Sequence, residues 1–167
     1  LVSESLTDEG ACNQRQTGRQ HYYEYTLKGE GVETWHPRFS YYGFRYIQVE
    51  GAVLKGQKNP HRLPVIQKIQ SCFVYNSAPK VSTFQCSNRI FNEAHRLIEK
   101  AVRSNMQSVF TDCPHREKLG WLEQDHLCGP GLLYNYDLTG FLPQTLQNIA
   151  DAQHANGAVP TTAPEYV

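Results

Sequence analysis

The chain has 167 residues, 40% of them hydrophobic and 19% charged, with 16 basic side chains against 16 acidic ones. That composition excludes long disorder, which needs low hydrophobicity and high net charge, and a nucleic-acid coat or acidic-lipid binder, which needs a clustered basic excess. The length holds one domain or parts of two, and no apolar run approaches the roughly 20 residues that span a bilayer. Residues 20 to 76 read as strands. His21 to Lys28 sets Tyr23, Tyr25 and Leu27 against Glu24, Thr26 and Lys28 with a period of two, and Gly29-Glu-Gly31 breaks the run. Phe39 to Glu50 is rich in aromatic and β-branched residues, which suit a pleated, half-buried surface. Gly51 and residues 56 to 60 are turn material, and Val65 to Tyr75 is a further strand. Antiparallel pairing in a β-sandwich is the expected result.

The character changes near residue 80. From Ile90, apolar residues fall at Phe91, Ala94, Leu97, Ile98, Ala101, Val102, Met106, Val109 and Phe110, one face of an amphipathic helix. Ser87 or Asn88 caps its start, and Pro114 ends it by about Asp112. A second helix is expected from near Leu119 to Tyr136, bent at Gly129-Pro-Gly131. A third begins near Thr139, with Pro143 in its first turn, and closes at Asn156-Gly157. Leu1-Val2-Ser3 shows no methionine or signal-peptide pattern, and Pro164-Glu165-Tyr166-Val167 follows a helix and a loop. The whole reads as an internal stretch of a longer protein, with no compartment assigned.

Five cysteines (12, 72, 86, 113 and 128) are an odd number at irregular spacing, which is not a disulfide framework. Cys113-Pro-His115 and His126-Leu-Cys128 mirror each other, but zinc sites use wider Cys spacings, so they read as buried thiols with local hydrogen bonds. No metal site and no cofactor motif is expected.

The junction between the first two helices concentrates chemistry. Four carboxylates, Asp112, Glu117, Glu123 and Asp125, lie within 14 residues, among His115, Arg116, Lys118 and Trp121. Loops of this kind often hold functional groups on a rigid frame. Glu117, Trp121 and Asp125 are spaced by four, so a helix starting by about Glu117 stacks them on one face. A carboxyl beside an indole loses water, which suits a general acid, and the indole offers a sugar ring a flat apolar platform. The same residues also fit a plain helix start. Acidic groups favour the positive end of the dipole, Arg116 and Lys118 pair with them at the surface, and Trp121 is core. Spacing and composition favour this second reading.

Thr111-Asp-Cys-Pro-His-Arg-Glu-Lys-Leu-Gly-Trp121 resembles the signature of bacterial α-L-rhamnosidases, glycoside hydrolase family 78, commonly T-D-C-P-Q-R-D-E-R-L-G-W-T-G-D. Trp35 to Glu50 is similar to the strand pair before that family's catalytic domain. Phe84-Gln-Cys-Ser-Asn88 is similar to the lead into its first helix. Leu133 to Phe141, Asp151-Ala-Gln153 and Asn156 to Pro160 are similar to its next two helices and the loop after them. The resemblance runs over about residues 20 to 166. It implies a mixed chain of antiparallel β-sandwich strands followed by the first three helices of an (α/α)6 barrel. Residues 1–80 are then the end of an accessory sandwich domain with its linker, and 81–167 the incomplete start of the catalytic domain. The implied reaction is hydrolysis of terminal α-L-rhamnosyl bonds with inversion.

Carried over residue by residue, Glu117 is the family's general acid. Asp112 and Asp125 are ligands to sugar hydroxyls, Arg116 orients carboxylates or reaches a hydroxyl, and Trp121 lines the sugar pocket. Glu123 is an extra carboxylate, counted with the substrate-binding residues. One residue is missing between Arg116 and Trp121 and one is added between Trp121 and Asp125, so the overall Asp112–Asp125 separation is kept. His115 replaces glutamine. The general base is expected beyond Val167. The implied partners are a rhamnose-containing glycoside or polysaccharide and the remainder of the parent chain, with no nucleic acid and no membrane span. Two rival readings stand beside this one: another (α/α)6 glycosidase or a lyase, and a carbohydrate-binding protein without catalysis. Arg38, Tyr42 and Arg45 read as sheet packing, His36, His61, His95 and His154 as scattered histidines, and Glu165-Tyr166 as a surface loop.

Overall fold

The computed structural model describes residues 1–15 and 20–165, and the chain divides into two compact units, Leu1–Phe73 and Val74–Val167. In the first unit, β1 (Val2–Ser3) pairs antiparallel with β2 (Tyr46–Ile47), in the register Val2↔Ile47 and Ser3↔Tyr46. The ladder extends at both ends, since Arg45 N–H donates to the Ser3 carbonyl and the Leu1 amine and Gln48 N–H exchange bonds with each other's carbonyls. β3 (Val53–Leu54) pairs in parallel with β4 (Val65–Ile66). One sheet is therefore antiparallel as expected, and the other is not.

The strands are also far shorter than the sequence pattern predicts. The run from His21 to Lys28 forms no strand at all among the described residues. Alternation chooses the two faces of a strand, but a ladder also needs a neighbouring edge to take its N–H and C=O groups. Here the end of the run is held by a side chain instead. The Glu33 carboxylate accepts from the Tyr25 hydroxyl at 2.7 Å, Lys28 N–H at 3.2 Å and Gly29 N–H at 3.1 Å. Gly29 and Gly31 take φ of 89° and 64°, which explains the glycine break. Rings replace the ladder as the local cement: His21 stacks on Tyr42 at 4.3 Å, and Tyr23 and Tyr25 both meet Trp35. In the second aromatic run, Phe39 sits at φ 55°, an interruption that bulky residues seldom adopt, and only Tyr46–Ile47 is paired.

The second unit carries three helices, α1 (Arg89–Asn105), α2 (Leu122–Asn135) and α3 (Leu142–Ala152). The Asn88 side chain accepts from Ile90 N–H and caps α1, one of the two caps expected. The helix stops seven residues before Asp112. Met106 leaves the helix at ψ 93° and becomes fully buried, joining Phe110, Leu132, Tyr136, Leu138 and Phe141 in the core. Core burial at Met106, rather than Pro114, therefore ends the helix. Lys80 forms a β-bridge with Tyr136 and an ion pair with Glu99 of α1, so residues 79–81 are tied to two helices at once. The Lys80 ammonium, with His95 at 3.3 Å, holds the Glu99 carboxyl below the ordinary carboxylate range.

α2 begins at Leu122, three residues later than expected, and continues through Gly129-Pro-Gly131 with Pro130 inside it. Pro130 has no N–H to offer the carbonyl four residues back, which is the cost of that placement. α3 starts at Leu142 with Pro143 in its first turn. Thr139 lies in the preceding turn, where the Asp137 carboxylate accepts from its N–H and hydroxyl. The helix ends at Ala152, and Gly157 adopts φ 84° in a separate turn closed by Gly157 N–H to the His154 carbonyl.

Candidate active site

The loop between α1 and α2 is anchored at its start by Thr111, which is buried and donates from its N–H and hydroxyl to the Asn105 carbonyl at 2.9 and 3.2 Å. Asp112 and Leu119 then close the neck. Asp112 N–H donates to the Leu119 carbonyl at 3.3 Å, and Leu119 N–H donates to Asp112 Oδ1 at 3.1 Å. The intervening residues, Cys113 to Lys118, form the lobe of the loop, with Lys118 in the left-handed region at φ 53°. Glu117 and Arg116 are exposed on this lobe, while His115 is half-buried.

The next three residues are held from a second direction. Leu122 N–H donates to the Thr161 carbonyl, Ala163 N–H donates to the Gly120 carbonyl, both at 3.0 Å, and Trp121 bridges Thr162 antiparallel. The approach is close enough that a Cβ on Gly120 would lie 2.5 Å from the Ala163 carbonyl oxygen, so this position excludes any side chain. Out of that clamp the Trp121 indole reaches back, and its Nε1–H donates to Glu117 Oε2 at 3.1 Å.

The sequence expectation of a helical face carrying Glu117, Trp121 and Asp125 needs correcting. Helix begins only at Leu122, because Lys118 is left-handed and Leu119 is committed to Asp112. The contact at spacing four is made across a loop, not along a helix. Nor is the Glu117 carboxyl dried by the indole face; it stays exposed and meets the indole N–H edge. Asp125 and Glu123 lie in the first turn of α2, a favourable place for negative charge. Glu123 is exposed, whereas Asp125 is half-buried and burial pushes its carboxyl above the ordinary value of 3.8. Among the described residues, Trp121 bonds directly to Glu117, while Asp112, Arg116, Glu123 and Asp125 share the junction without a hydrogen bond to that carboxylate.

Sequence reasoning missed residues 161–163 as the support behind the junction. The signal was Gly120 itself, since glycine lets another backbone approach closely. Glu165 lies 3.8 Å from His154, and Tyr166 falls outside the described residues. Among the described residues, no group of three or more His, Cys, Asp or Glu side chains is arranged to hold a metal ion, and no helix is long and apolar enough to cross a membrane.

Comparison with known proteins follows the two units. Residues 79–167 match the bacterial alpha-L-rhamnosidase 6 hairpin glycosidase domain, and residues 1–75 match the bacterial alpha-L-rhamnosidase concanavalin-like domain. An alpha-L-rhamnosidase of Formosa agariphila is 35% identical over 132 residues, 79% of this chain and 13% of that protein. One of Streptomyces avermitilis is 36% identical over 141 residues, 84% of this chain and 13% of that protein. The structure of alpha-L-rhamnosidase from Dictyoglumus thermophilum superposes with a TM-score of 0.78 at 30% identity, over 99% of this chain and 18% of that one. The Streptomyces avermitilis enzyme complexed with L-rhamnose gives 0.69 at 28% identity, over 99% of this chain and 16% of that one. The chain thus spans 13% of the length of the first two curated relatives.

Proposed function

The chain belongs to the bacterial α-L-rhamnosidase family, and from that premise we propose that it supplies the acid half of a glycoside hydrolase site acting on terminal α-L-rhamnosyl residues. The observation that carries this reading is the Glu117 carboxyl held by the Trp121 indole N–H at the mouth of a clasped loop. Its three helices are the first of an (α/α)6 barrel, and its first unit is the end of a β-sandwich domain.

In the proposed reaction, the Glu117 carboxyl gives its proton to the glycosidic oxygen as the bond to the anomeric carbon breaks. A water attacks that carbon from the opposite face, and a base outside this chain takes the water's proton, so the configuration inverts. Inverting enzymes hold the two carboxyls roughly 6.5–9.5 Å apart to admit that water. Asp112 and Asp125 accept hydrogen bonds from sugar hydroxyls, the second from a half-buried position at the first turn of α2. Arg116 and Glu123 are both exposed and take further hydroxyls, and the indole face lines the sugar pocket. A substrate with several hydroxyls and one apolar face suits such a mixture.

The test is Glu117→Gln in the full-length protein with phenyl α-L-rhamnoside. A fall in kcat of about 10²–10⁴ is expected, the usual worth of a general acid. In the wild type, NMR of the first-formed sugar should show the anomer opposite to that of the substrate. A variant at wild-type rate would remove Glu117 from the role, and a retained anomer would remove inversion.

A further inference from the structure

The geometry points to Trp121 as a positioning residue for Glu117, acting through its indole N–H in addition to any contact its ring face makes with sugar. The inference rests on the proposed reading of Glu117 as the acid, and it concerns what keeps that carboxyl in place. Glu117 sits on the exposed lobe of the 112–119 loop, next to a left-handed Lys118. An exposed glutamate has three rotatable side-chain bonds and, left to itself, samples many positions. A proton donor must instead lie within hydrogen-bond reach of one oxygen atom, so wandering is costly to the rate.

Two constraints oppose that wandering. The neck of the loop is closed by the reciprocal Asp112–Leu119 bonds. The carboxyl end is pinned at Oε2 by Trp121 Nε1–H at 3.1 Å, leaving Oε1 for the leaving-group oxygen. Trp121 is itself well placed to act as a fixed point. Its flanking residues, Gly120 and Leu122, are both bonded to 161–163, and Trp121 bridges Thr162. The indole therefore hangs from a backbone secured on both sides, half-buried, and its only polar atom is spent on the carboxylate. A ring serving only as an apolar platform has no need of that N–H.

The test is a double-mutant cycle in the full-length protein with phenyl α-L-rhamnoside, whose leaving group needs the proton. Trp121→Phe keeps a ring face and removes the N–H. With Glu117 intact, kcat should fall about tenfold while KM stays within about twofold, the scale of one lost hydrogen bond to a charged group. In a Glu117→Ala background the same change should cost nothing further, because the group it acts through is gone. An equal loss in both backgrounds, or a loss confined to KM, would overturn positioning and leave only the platform. No loss with Glu117 intact would overturn it too. A Glu117→Ala protein at wild-type rate would instead reject the acid assignment itself. Where Trp121→Phe disturbs folding, replacing Trp121 by β-(benzothien-3-yl)alanine exchanges the N–H for sulfur within nearly the same outline, and the same kcat loss is expected.

Discussion

Burial makes the Asp125 carboxyl hold its proton more tightly in the folded chain than its ordinary value of 3.8. The cause is loss of water around the half-buried carboxyl, which disfavours its charged form. The folded state therefore binds this proton more strongly than the unfolded state. Ionisation costs stability as pH rises through the folded value, and the cost is absent below pH 3.8. Asp125→Asn should accordingly stabilise the protein at pH 7, by less than about 1 kcal/mol because solvent screens a half-exposed group, with the gain vanishing in acid. Urea unfolding at the two pH values measures it, and a loss of stability at pH 7 would contradict it. At Glu117 and Trp121 the sequence was legible in part. Spacing four did bring the two side chains together, but through a left-handed Lys118 and an Asp112–Leu119 clasp that no periodicity announces. The resemblance named the same residues without saying which edge of the indole meets the carboxyl.

The elements that sequence reasoning located rested on local causes, and the end of α1 was misplaced for a distant one. The Asn88 cap and Pro143 in the first turn of α3 depend on neighbouring backbone, and both lie where expected. The end of α1 depends on Met106 filling a core built with Leu132, Tyr136 and Leu138, and the start of α2 follows the left-handed Lys118 and the Asp112–Leu119 clasp, with residues 161–163 bonded to Gly120 and Leu122 behind it. The short strands of the first unit follow the same logic, since pairing partners lie far away in sequence. Gly120 is the position where this long-range support is most exposed to test. Gly120→Ala places a methyl 2.5 Å from the Ala163 carbonyl oxygen and 3.4 Å from the Val109 side chain, so the Ala163 backbone must shift. Overpacking of this kind costs about 1–3 kcal/mol. The expected outcome is a lowered Tm together with a lowered kcat, because the clamp that fixes Trp121 opens. A variant with wild-type Tm and kcat would show that 161–163 gives no support.

At the scale of the whole molecule, the helical unit buries one compact cluster and leaves another apolar surface bare. Ile90, Phe91, Leu97 and Ile98 of α1 are 59–74% exposed, although their spacing is that of a buried face. An apolar stripe of this kind is a surface that a neighbouring element covers. The chain spans 13% of the length of its first two curated relatives. The amphipathic pattern was therefore readable while its counterpart was not. Proton donation by Glu117 is tested most directly by the dependence of rate on the leaving group. The ratio of wild-type to Glu117→Gln kcat/KM should be measured in the full-length protein on 2,4-dinitrophenyl and on phenyl α-L-rhamnoside. A dinitrophenolate departs without a proton and a phenolate does not, so the ratio should lie near one for the first and near 10²–10⁴ for the second. Equal ratios for the two substrates would contradict the account.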